Sequence, residues 1–157
     1  MELKDYSTVT MTQENKKLLL KDLCARLPYD VIVDYAHNAF DVRKGHYIKH
    51  ESKCILSCYL LDVFISPRQN EEGEYIKPHL FPLSSMTKEQ LFEVQEILGK
   101  NEIEIEDGFL RIVDSDRNTI SYLEILALLE WFYKNHFDIN GLIEKGLAAD
   151  ATGLNIY

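Results

Sequence analysis

Ser121 and Glu124 stand three residues apart, directly before the most apolar stretch of the chain. This is the spacing of a capping box, in which a serine hydroxyl and a glutamate carboxylate take up the free N–H groups that open a helix. Ile120 and Ile125 sit where a hydrophobic staple forms. Beyond them Ile125, Leu126, Leu128, Leu129, Phe132 and Tyr133 recur at helical spacing, and Leu123, Ala127 and Trp131 fill much of the opposite side. An apolar circumference of this kind predicts a helix that the rest of the protein mostly covers. Asn135 offers a left-handed terminus, and Asp138 offers a cap for a short second helix that turns Leu142 and Ile143 inward and ends at Gly146. The expectation is a two-helix corner over one core, in which these residues serve architecture before chemistry.

The preceding chain reads as alternating helices and strands. Thr12 caps a helix running through Arg26, with Leu19, Leu20, Leu23 and Leu27 on one face, and Pro28 ends it. Residues 31–35, 46–49, 55–65 and 75–80 are rich in β-branched and aromatic side chains and read as strands, with solvent loops around Asn38 and over 69–73. Pro78 and Pro82 bracket the exit of the last of these, which places it at an edge or at its end. Thr87 and Gln90 form a second capping box, with Leu91, Val94, Ile97 and Leu98 on the inner face of the helix it opens. Asp107-Gly108 between 102–106 and 109–113 is a hairpin signal.

These elements predict a single α+β domain spanning 1–157, with a mainly antiparallel sheet of about four to six strands covered on one face by three main capped helices. A length of 157 residues with 46% apolar and 27% charged residues supports one core and excludes a disordered chain. No run of eighteen apolar residues and no export signal occurs, so the chain reads as cytoplasmic, without a membrane partner. The net charge of −9 repels phosphate backbones and argues against a nucleic-acid partner. Its carboxylates are too discontinuous for an acidic imitation of DNA. Three cysteines, an odd number, predict free thiols in a reducing compartment. Cys54 and Cys58, read as lying about 13 Å apart on one strand, fall beyond disulfide reach and are expected in the core.

Three segments, KDLCARLPY at 21–29, IKPHLFPLSSMT at 76–87 and WFYKNHFDINGLIEKGLAADATGLNIY at 131–157, resemble short uncharacterised proteins of phages and mobile elements in gut Bacteroidetes. Together they cover about a third of the chain. The resemblance implies a bacterial or phage cytoplasm and a start at a position like Met11, with residues 1–10 as an upstream extension. It brings no activity, cofactor or site residue with it.

Four constellations carry possible chemistry. Asp114, Asp116, Asn118 and Glu124 resemble the first, third, fifth and closing ligands of an EF-hand calcium loop. The loop lacks the turning glycine, is one residue short and follows a hairpin instead of a helix. An Asp/Asn turn feeding a capped helix accounts for the same residues. His46, His50, Cys54 and Cys58, four apart, suggest zinc, but on strands they spread and converge only if the chain folds back at 51–53. His136, Asp138 and Asn140 offer an acid–base pair, without a nucleophile or an oxyanion turn near them in sequence. Finally, nine Tyr, seven Phe and one Trp supply either core or a partner surface. The function most consistent with these features is a non-catalytic, protein-binding module of a phage or mobile element, acting on a host or phage protein through an acidic, aromatic-bearing surface and requiring no cofactor. A calcium or small-ligand module built on the 114–124 loop is the alternative, and a hydrolase the third reading.

Overall fold

The computed structural model describes residues 11–65, 74–99, 101–106, 109–113 and 120–157. The Thr12 hydroxyl accepts the Asn15 N–H and opens helix α1 (Gln13–Arg26), and the chain leaves through a 3-10 turn, Leu27–Tyr29, containing Pro28. Strands β1 (Ile32–Asp41) and β2 (His46–Ile55) then form an antiparallel ribbon, paired one to one from Ile32–Ile55 to Asp41–His46. Both are longer than the sequence pattern predicts, and Asn38 lies inside a strand instead of a loop. The outer half of the ribbon is half-buried to exposed on both faces, so it carries no apolar alternation, and strand pairing rather than burial defines it.

The expected strand at 55–65 is instead helix α2 (Cys58–Ile65). A short apolar run fits either element by periodicity alone. Here the Ser57 carbonyl accepts the Leu61 N–H, and Leu60, Leu61 and Phe64 turn onto one cluster. Strand β3 (Tyr75–Leu80) pairs antiparallel with β1. Two residues near the C-terminus, β6 (Ala149–Asp150), pair with β3 in parallel, giving the order β2-β1-β3-β6. Leu19 and Leu23 of α1 and Leu60 and Leu61 of α2 bury against Val33, Tyr35, Ile76 and Leu80 of this sheet. Its other face carries the charged side chains of Asp34, Lys49, Glu51 and Lys53, the usual division of a half-solvated antiparallel sheet.

A second core forms around α3 (Lys88–Leu98), the hairpin β4 (Glu102–Glu106) and β5 (Phe109–Val113), and α4 (Tyr122–Lys134). Both expected capping boxes are present, at Thr87/Gln90 and Ser121/Glu124. The Asp107-Gly108 turn lies outside the described residues, whereas its flanking strands pair as expected. Val94 and Leu98 of α3 meet Leu128 and Phe132 of α4 and Phe137 beyond it, with Ile103, Ile105 and Ile112 packed against them.

Helix α4 ends one residue later than the sequence suggests. His136, not Asn135, adopts the left-handed conformation, at φ 60°. Its N–H bonds the Tyr133 carbonyl and the Phe137 N–H bonds the Phe132 carbonyl, while the Phe137 and Phe132 rings meet edge to face. These two bonds and one apolar contact make a Schellman motif. The short helix expected after Asp138 is a set of turns with its cap intact. The Asp138 carboxylate accepts N–H groups of Asn140, Leu142 and Ile143, Leu142 is fully buried, and Gly146 turns the chain at φ 69°. Phe137 belongs to the second core and Leu142, Leu147 and Ala148 to the first, so the final segment ties the two together. The class is α+β, as the sequence predicts, and the six strands among the described residues divide between a four-stranded and a two-stranded sheet. Among the described residues no helix is long and apolar enough to cross a membrane.

Candidate functional site

Asp114, Asp116 and Asn118 of the calcium-like loop lie outside the described residues. Glu124 is described: its Oε2 accepts the Ser121 N–H at 2.6 Å, and the Ser121 hydroxyl accepts the Glu124 N–H at 3.2 Å. The backbone bond from Ser121, followed by the side-chain bond, holds this carboxyl below its ordinary range. Glu124 therefore does the work of a helix cap.

His46, His50 and Cys54 follow one another along β2, and Cys58 begins α2. Four residues of strand separate neighbours by about 13 Å, and the chain does not fold back at 51–53, so the row spreads instead of converging. Among the described residues no group of three or more His, Cys, Asp or Glu could hold a metal ion. All three cysteines are free, as expected, but Cys58 and Cys24 are exposed and Cys54 is only half-buried. The expected core position of Cys58 is thus corrected, because the helix replaces the strand that would have buried it.

His136, Asp138 and Asn140 each have a structural partner. The His136 ring is stacked face to face on Tyr157 at 3.9 Å, and burial, assisted by Arg26, pushes its pKa down to about 4. Asp138 caps the turns described above. The Asn140 amide donates to Asp22 Oδ1 at 2.8 Å. Asp22 and Arg26 form a fully buried ion pair at 2.6 Å, and the Arg26 guanidinium also donates to the Phe137 carbonyl and lies under the Tyr133 ring. This network went unread in the sequence, although a signal existed: Leu19, Asp22, Leu23 and Arg26 share one helical stripe, and two charges on a buried stripe must find partners.

The feature that departs furthest from expectation is α4. It buries Leu128 and Phe132, but Tyr122 and Leu123 are 72% and 76% exposed, and Ile125, Leu126 and Leu129 are also open to solvent. Among the described residues the expected covering is therefore incomplete, with one side of α4 open. Tyr122, Ile125, Leu126 and Leu129 recur at three- and four-residue intervals and make one stripe about two turns long. The opposite side is fixed in place. Trp131 lies flat against Phe137, meets Phe132 edge to face, and donates its indole N–H to Glu93 of α3 at 2.9 Å. Beside that bond, Phe92 is exposed in a shallow open hollow of about 400 Å³, lined by Lys88, Glu89, Phe92 and Glu93. All four residues come from one helix and the hollow is wide open, so it is unlike a small-ligand pocket. The outer face of α4 thus combines an apolar stripe with Glu130, one turn from Leu126, beside it, whereas Glu93 lies on the Trp131 side and Glu124 caps the helix. No family model, curated protein or solved structure matches the chain.

Proposed function

We propose that this chain is a non-catalytic protein-interaction module of a phage or mobile element, working in the cytoplasm on a host or phage protein through the outer face of α4. The observation that carries the reading is the stripe of Tyr122, Ile125, Leu126 and Leu129, with Leu123 beside it, left open on a helix whose other side is locked into a core. Contiguous exposed apolar side chains of this kind mark interaction sites. Spacing at i, i+3, i+4 and i+7 suits a partner helix that lays its own apolar ridge along the stripe. Glu130 beside the stripe favours a partner with a lysine or arginine flanking that ridge, and the net charge of −9 disfavours nucleic acid.

The test is site-specific photo-cross-linking in the host cell. A probe at Leu126 is expected to capture one protein at a fixed stoichiometry, a probe at Lys145 is expected not to, and Leu123→Glu is expected to weaken the capture about tenfold or more. Identical results from the two probe positions would overturn the reading.

A further inference from the structure

The main sheet ends at β2, and among the described residues nothing pairs with its outer edge. The ladder shows which groups are free there. The Leu56 N–H bonds the Val31 carbonyl, which makes Val31–Leu56 a hydrogen-bonded pair, and bonded and non-bonded pairs alternate along an antiparallel ribbon. His46, Ile48, His50, Ser52 and Cys54 therefore turn their backbone groups toward β1. Tyr47, Lys49, Glu51, Lys53 and Ile55 turn theirs outward. Pro78 agrees with this phase: it stands opposite Val33, a residue whose backbone groups face β2, so its missing N–H costs β1 nothing. The five outward residues are all exposed, and β2 contains no proline and no bulge. Two of the devices that keep edge strands apart are thus missing, and the third, lysine, is interrupted by Glu51.

We propose that two copies of the chain pair β2 to β2, antiparallel, with the two-fold axis at His50, so that their sheets join into one. Outward residues bond only to outward residues, so the axis passes through a residue and not between two, and pairing most of the strand keeps it at Lys49, His50, Glu51 or Ser52. An axis at Glu51 sets Glu51 against itself and Lys49 against Lys53, and an axis at Lys49 sets that lysine against itself. An axis at His50 sets Lys49 of each copy against Glu51 of the other, and Tyr47 against Lys53, with 46–54 overlapping. An axis at Ser52 pairs Glu51 with Lys53 but overlaps only 49–55. Within one chain Lys49 already holds Glu51 at 2.7 Å, so pairing at His50 extends that contact into an alternating array of four charges on the solvated face. The self-complementary pattern makes the second copy the occupant, with the reciprocal contacts an isologous interface requires.

Light scattering at about 100 μM, a concentration that populates a complex of micromolar affinity, is expected to give twice the 18.3 kDa mass of the chain. Lys49→Glu sets glutamates against each other twice and is expected to weaken association about tenfold or more, and Lys49→Glu with Glu51→Lys is expected to restore it. Register is read in a background with Cys24, Cys54 and Cys58 replaced by serine. There His50→Cys places two thiols on a non-bonded pair with Cα atoms about 4.5 Å apart and is expected to oxidise to a linked dimer, whereas Ser52→Cys is not. Circular dichroism confirms that each variant is folded. The inference is overturned if the folded wild type is monomeric, if Lys49→Glu associates as well as wild type, if Ser52→Cys links in place of His50→Cys, or if the edge takes up an extended peptide while the chain alone stays monomeric.

Discussion

His136 shows how a residue that looks catalytic is used structurally. It occupies the left-handed position that ends α4, its ring lies on Tyr157, and the Tyr157 hydroxyl accepts the Ile32 N–H while donating to the His79 carbonyl. One side chain thus joins a helix end to the C-terminal residue, which in turn spans β1 and β3. Because burial holds the folded pKa at about 4 against an unfolded value near 6.5, the unfolded chain binds the proton first as pH falls. Stability from this residue is therefore complete above about pH 6.5 and drains away as pH drops toward 4. In chemical denaturation, His136→Asn, which keeps a residue tolerant of the left-handed conformation, is expected to remove about 3 kcal/mol of the loss in stability between pH 7 and pH 4. An unchanged pH profile would show that the ring titrates alike in the folded and unfolded chain.

At the scale of elements, the join between α1 and the C-terminal segment rests on the Asp22–Arg26 pair and its bonds to Phe137 and Asn140. Asp22→Ala leaves a guanidinium buried without its counter-charge and is expected to cost about 3–5 kcal/mol, whereas Asp22→Leu with Arg26→Met recovers most of that loss. A urea double-mutant cycle measures the coupling, and additivity of the two changes would contradict the network. How far such elements can be read in advance follows from where their defining interactions lie. The capping boxes at Thr87 and Ser121 and the hairpin at 102–113 are local in sequence, and the structure has them as expected. The long ribbon of β1 and β2 escaped because its outer half is defined by partners rather than by burial. The α2 helix escaped because Cys58–Ile65 is apolar enough to satisfy either period. Of the candidate sites, the capping roles of Glu124 and Asp138 were visible in sequence. The open flank of α4 was not, since an apolar helix reads the same whether its own chain or another covers it.

At the scale of the whole molecule, two hydrophobic cores are tied by residues 137–148. The two proposed points of attachment, the outer face of α4 and the outer edge of β2, differ in character: the first is apolar, and the second alternates in charge. An acidic chain gains from this separation, because net repulsion between copies is overcome only where the charges interleave. The account turns on whether the stripe on α4 is truly left open by its own chain. The most direct measurement is urea unfolding of Leu126→Ser beside Leu128→Ala, two residues apart on opposite sides of one helix. The account predicts a change within about 0.5 kcal/mol for the first and a loss of about 2–5 kcal/mol for the second. A Leu126→Ser loss as large as that of Leu128→Ala would mean that the chain covers its own stripe and leaves no face there for a partner.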